Sequence, residues 1–89
     1  MKEKKLTILN KLGLHARPAS LIVQTAMKFS SSINIIKDEA KIDAKSIMGI
    51  MMLAAACGTE LTIQAEGPDE DEAINKLAEL FAGGFGEEI

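Results

Sequence analysis

From Glu60 to Glu66 the chain alternates without a fault, with Leu61, Ile63 and Ala65 on one side and Thr62, Gln64 and Glu66 on the other. A period of two means a strand buried on one face and wetted on the other, so the sheet it joins is covered on one side only. The next residues supply part of that cover. Gly67-Pro68 interrupts the strand, and from Asp69 the period lengthens to that of an amphipathic helix burying Ile74, Leu77, Leu80 and Phe81. Asp69 takes the N-cap position, Glu72 follows three residues later as in a capping box, Glu70 and Asp71 fill the first turn, and Gly83-Gly84 ends the helix.

The same two periods recur upstream. Lys4 to Leu9 reads as a first strand with Leu6 and Ile8 inward, and Ala16 to about Lys28 as a helix burying Ala19, Ile22, Val23 and Ala26. Ser30-Ser31-Ser32 connects to a β-branched strand, Ile33 to Ile36; Lys37-Asp38-Glu39 then turns the chain into Ala40 to Ala44, whose Lys41 and Asp43 suit an exposed edge. Ser46 is placed to N-cap a short apolar helix in which Ile50 and Leu53 share the core face. The order β-α-β-β-α-β-α with short connections specifies an α+β fold, antiparallel strands covered on one face by the two longer helices. With 89 residues there is room for one domain, 1–89, and with three Phe, no Trp and no Tyr its core is aliphatic.

The chemistry concentrates in Gly13-Leu14-His15-Ala16-Arg17-Pro18-Ala19-Ser20, which holds the chain's one histidine at the start of a helix. Pro18 loses nothing in a first turn, where backbone N–H groups have no intrahelical partner. Those N–H groups at Ala16 and Arg17, the helix dipole and the Arg17 guanidinium converge beside His15, as in a site for a phosphate or other oxyanion. So much positive potential disfavours the protonated ring and leaves it neutral and nucleophilic. Gly13 permits a tight turn in front of it.

A formal charge of -3 and the lack of aromatic platforms argue against nucleic acid as partner. The single Cys57 can form no internal disulfide, and one Cys with one His cannot make a structural zinc site, so no metal is expected and a reducing cytosol suits the chain. The longest apolar run, Ile47 to Cys57 interrupted at Gly49, is too short to enter a bilayer as a span, and no signal peptide precedes the first strand.

The stretch Gly13 to Ala19 resembles the active-site motif of HPr, the histidine-containing phosphocarrier of the bacterial phosphotransferase system. Lys45-Ser46-Ile47-Met48-Gly49-Ile50-Met51 resembles a second motif of that family, and Gly58-Thr59-Glu60-Leu61 and Ala65-Glu66-Gly67 match it too, so the likeness runs the whole chain. The resemblance implies a four-stranded open-faced β-sandwich. It also implies that His15 takes a phosphoryl group from phosphorylated Enzyme I and passes it to a sugar-specific Enzyme IIA or IIB, with Arg17 holding the phosphoryl oxygens. Such a protein is a cytoplasmic, monomeric carrier that needs no bound cofactor, a substrate of enzymes rather than an enzyme. Ser46 would be the site of an HPr kinase/phosphorylase, with a phosphate tolerated at a helix N-terminus.

Two sets of residues suggest a surface for those partners. On the first long helix Arg17, Ser20, Leu21, Gln24 and Met27 line the side away from the core; after Ser46, Ile47, Met48 and Met51 fall outside the Ile50–Leu53 face and form an adaptable apolar patch. Alternatives stand beside this reading. Asn10-Lys11-Leu12-Gly13, Leu80-Phe81 and Gly84-Phe85 look more like the nitrogen-branch paralogue, which serves regulatory partners. A small phosphate or acyl-phosphate hydrolase would use the same His15 and Arg17, but no carboxylate or amide adjoins His15 locally to position water. A purely regulatory binding module, switched at Ser46, would have no use for His15.

Overall fold

The computed structural model describes all 89 residues. Its elements are β1 (Lys2–Thr7), α1 (Ala16–Ala26), β2 (Ser32–Lys37), β3 (Ala40–Asp43), α2 (Ile47–Met52), β4 (Glu60–Glu66) and α3 (Glu70–Ala82), followed by a 3₁₀ turn at Gly84–Gly86. The four strands form one antiparallel sheet in the order β1-β4-β2-β3. This is the α+β, open-faced architecture expected, plus a terminal turn that was not.

The alternation of β4 sets the register. Leu61 lies opposite Leu6, Ile63 opposite Ile35 and Ala65 opposite Ile33, so apolar side chains from the three neighbouring strands share one face. That face and the helices above it enclose a cluster of 20 buried residues, among them Ile22 of α1, Ile50 of α2 and Leu77 and Phe81 of α3. Strands β1 and β3 are the edges, and their Lys2, Lys4, Lys5, Lys41 and Asp43 are exposed, which discourages pairing with another sheet.

Several boundaries and contacts differ from expectation. Strand β1 begins two residues early and stops at Thr7, because its partner β4 runs only from Glu60; Ile8 is outside the ladder yet fully buried, its N–H bonded to the Thr59 carbonyl at 2.9 Å. Helix α1 stops at Ala26, with Val23 only partly buried, and Leu80 of α3 is likewise partly buried against the core. Ala73, one turn before Leu77, takes the buried place instead.

The capping box at α3 does not form. Asp69 makes no side-chain bond to its own helix; its carboxylate accepts from the Ser30 N–H at 2.9 Å, the Ser31 N–H at 3.0 Å and the Ser31 hydroxyl. The α1–β2 connector offers it three donors, and the bonds tie that connector to the β4–α3 turn. The Ser31 hydroxyl first, and then the Ser30 N–H, hold the Asp69 carboxyl below its ordinary value.

Candidate functional site

The loop before α1 fixes the histidine. Gly13 has φ +70°, and a Cβ there would lie 2.6 Å from the Ala55 carbonyl oxygen, so only glycine lets the loop press against the segment after α2. The Leu14 N–H donates to that same carbonyl at 3.0 Å, and the His15 N–H to the Gly13 carbonyl at 3.0 Å. His15 is the N-cap of α1, in extended backbone, and its side chain makes no capping bond. Buried Pro18 is the third helical residue, which leaves the N–H groups of Ala16 and Arg17 in the open first turn.

The unexpected member of the site arrives from the other end of the chain. Glu87 lies 2.9 Å from His15 Nε2, accepts from Arg17 Nη1 at 3.1 Å and from Asn10 Nδ2 at 3.0 Å. It is the least exposed of the ionic three, its side chain 14% accessible against 37% for His15 and 56% for Arg17. Hydrogen bonding to His15 above all, helped by Asn10 and Arg17 and opposed by partial burial, holds its carboxyl below the ordinary glutamate value.

What brings Glu87 there is the turn after α3. Gly84, Phe85 and Gly86 all take positive φ, which reverses the chain, and at Gly84 (φ +60°) a Cβ would sit 2.7 Å from the Ile89 side chain. Phe85 is buried and packs edge-on against Phe81 with ring centroids 4.8 Å apart, while its carbonyl accepts from Arg17 Nη1 at 3.0 Å. Beyond Glu87, the Lys11 N–H donates to the Glu88 carbonyl at 3.0 Å and Lys11 Nζ pairs with the Glu88 carboxylate. The tail is therefore laid along the β1–α1 loop by one buried ring and a row of polar bonds.

This overturns two expectations. The surroundings of His15 are not uniformly positive, since Glu87 offsets Arg17; and a carboxylate does adjoin the ring, so the argument against a hydrolase from its local absence fails. Sequence reasoning missed Glu87 because 72 residues separate it from His15 and no motif contains it. The one available signal was a second aromatic, Phe85, between glycines just past the end of α3.

The remaining candidates fall as follows. Ser46 is the N-cap of α2, and its hydroxyl accepts from the Gly49 N–H at 3.0 Å. Ile50 and Leu53 are buried, whereas Ile47, Met48 and Met51 are 41%, 72% and 42% exposed, and Met52, not assigned to the patch, is more exposed still. Ala16, Gln24 and Met27 are exposed and Ser20 is half-buried, its hydroxyl accepting from Gln24 Nε2 at 3.2 Å. Leu21 is half-buried against the core rather than on the solvent side. Helix α2 packs beside α1, so both sets of residues belong to neighbouring elements.

No group of three or more His, Cys, Asp or Glu side chains converges to hold a metal ion, and no helix is long and apolar enough to cross a membrane. The largest recess lies elsewhere, between β1 and α3, lined by Lys4, Leu6, Asn75 and Lys76 among others, and contains none of the candidate residues.

Comparison with known proteins agrees with this geometry. The family described as PTS HPr component phosphorylation site matches residues 2–83. The phosphocarrier protein HPr of Treponema pallidum is 49% identical over 85 residues, covering 96% of this chain and 97% of its own. The crystal structure of HPr from Thermoanaerobacter tengcongensis superposes with a TM-score of 0.96 at 56% identity over 100% of both chains. A dimer of the same relative superposes at 0.79, covering 98% of this chain and 100% of that one. A chain with this fold, this histidine at the start of α1 and likeness over nearly its full length belongs to the HPr family of phosphocarrier proteins of the phosphotransferase system.

Proposed function

We propose that His15 is the phosphoryl-carrying residue, accepting the group from phosphorylated Enzyme I and passing it to Enzyme IIA or IIB components in sugar uptake. The observation that carries this is the start of α1, where His15 leaves the first turn without a side-chain cap and where the His15 ring and the Arg17 guanidinium both meet the Glu87 carboxylate. A group that binds one anion there can bind another. The exposed faces of α1 and α2, with Met27, Ile47, Met48 and Met51, are the surface on which partners dock, and Ser46 at its edge is where a kinase would regulate them. We take the working unit to be a cytoplasmic monomer and one domain of 89 residues.

Incubation with phosphoenolpyruvate, Enzyme I and magnesium, followed by intact mass measurement, should add one acid-labile, alkali-stable phosphate per chain. His15→Ala should add none. Because Glu87 supplies the carboxylate that a phosphate hydrolase would need, that second reading is tested in the same tube: continuous phosphate release beyond spontaneous decay would establish it and displace the carrier.

A further inference from the structure

We propose that Met48, Met51 and Met52 on α2 form a peroxide-sensitive modification site, whose conversion to sulfoxides weakens partner docking and leaves the fold intact. This regulation rests on the reading of the exposed α1 and α2 faces as the docking surface.

The distribution of sulfur carries the inference. Of the five methionines none belongs to the cluster of 20 buried residues, and all are exposed. Three of them make up half of the six-residue helix α2, and Met27 ends α1, the helix packed beside it. Met52 is the most open at 79%, and Met48 follows. Leucines would serve an apolar docking patch as well; thioethers add a group that peroxides oxidise. What keeps α2 in place contains no sulfur. Its anchors are buried Ile50 and Leu53, the Ser46 hydroxyl accepting from the Gly49 N–H at 3.0 Å, and Lys37 Nζ donating to the Leu53 carbonyl at 2.9 Å. Oxidation of the outward methionines leaves each of these anchors standing.

The oxidant is a hydroperoxide, and the step balances without a further reactant. A sulfur lone pair attacks one peroxide oxygen and the O–O bond breaks. The proton of the attacked oxygen passes to the leaving one, which departs as water or an alcohol, and a sulfoxide remains. Sulfur loses two electrons and the peroxide gains them. Methionine sulfoxide reductases reverse the change: the oxygen leaves as water and a dithiol becomes a disulfide. In the free protein the sulfoxide oxygen is hydrated. A partner surface shaped for a thioether strips that water and offers no donor, so the cost falls on the docked state alone. Cys57 is the other exposed sulfur; its thiol donates to the Leu9 carbonyl at 3.6 Å, outside both helices.

The test therefore uses the full chain carrying Cys57→Ser, treated with hydrogen peroxide that is removed before Enzyme I and phosphoenolpyruvate are added. Peptide mass mapping should place one oxygen on each of Met48, Met51 and Met52, with the melting temperature unmoved. The KM for the chain as substrate of Enzyme I should rise about tenfold with kcat nearly kept, the signature of lost binding, and should return after treatment with the reductases. The triple variant Met48→Leu, Met51→Leu, Met52→Leu keeps the patch apolar without thioethers, and its KM, whatever its value, should not respond to peroxide. An unchanged KM in the oxidised chain, an equal rise in the triple variant, or a marked fall in melting temperature would overturn the proposal. The docking reading fails on a different result, a parent-like KM for untreated Met48→Ala. A raised KM in Met48→Ala beside an unchanged one after oxidation would sink the redox site alone and leave the docking surface in place.

Discussion

Two helices in this chain begin at a residue proposed to carry phosphate, and they begin differently. At α2 the Ser46 hydroxyl accepts from the Gly49 N–H, so the helix start is closed by its own cap. At α1 the N-cap is a histidine that caps nothing; the first turn stays open, and the nearby positive charge is met by a carboxylate from the far end of the chain. A closed start needs nothing further and can accept modification only at its surface. An open start keeps its backbone donors free, and beside it Glu87 meets the side chains of His15 and Arg17.

The largest expected effect that sharpens this contrast comes from Arg17. If the guanidinium leaves Glu87 for the phosphoryl oxygens, Arg17→Ala removes a charge-assisted bond of roughly 1.5 to 3 kcal/mol from the transition state and slows transfer about tenfold to a hundredfold. The fold should survive, because the side chain is more than half exposed and Glu87 keeps His15 and Asn10. Rapid-quench transfer rates and thermal melts check the two halves of this statement. An unslowed, folded variant would mean that the open start does not use its arginine.

The closed start should behave in the opposite sense. Ser46→Ala strands the Gly49 N–H and should cost about 1 kcal/mol, a fall of roughly 4–8 °C in melting temperature for a domain of this size, with little change in transfer. His15→Ala, which removes no capping bond, should melt closer to the parent. Ser46→Asp keeps a cap and adds charge beside the exposed Ile47, Met48 and Met51, so it should leave stability nearly unchanged and slow phosphorylation by Enzyme I. Should His15→Ala prove the less stable of the two alanine variants, the contrast between the helix starts would be energetically empty.

How far each start was legible in the sequence follows the range of its interactions. Ser46 and its acceptor bond lie within one helical turn, and the local pattern found both. The β4 alternation likewise revealed its partners' buried face, because Leu6, Ile33 and Ile35 follow the same period. The site at α1 was half legible: octapeptide spacing placed His15, Arg17 and Pro18, but nothing local announced Glu87. Asp69 failed for the same reason, since an N-cap pattern cannot reveal that Ser30 and Ser31 will arrive as better donors. Leu21 was misread because helical period ranks faces of one helix, while its burial depends on what packs beside them.

The smallest effect is one of pH, and it distinguishes the two starts without any substitution. Glu87 has its carboxyl held below the ordinary 4.5, His15 being the foremost cause, so its contribution to tail docking is complete above that value and is lost as pH falls through its lower folded value. No titrating side chain closes α2, where the acceptor is a serine hydroxyl. Below about pH 4.5, protection factors for the Lys11 amide, bonded to the Glu88 carbonyl, should therefore decline before those of the Gly49 amide. Asp69 and Glu70 are held low as well, by the Ser31 hydroxyl and the Gly67 N–H respectively, so the turn between β4 and α3 should loosen in the same acid range. Added salt should bring the tail's release to higher pH, because the Arg17–Glu87 pair is partly exposed and is screened. If Lys11 and Gly49 lose protection together, Glu87 is a passenger on a tail held by Phe85, and the open start of α1 has no resident anion of its own.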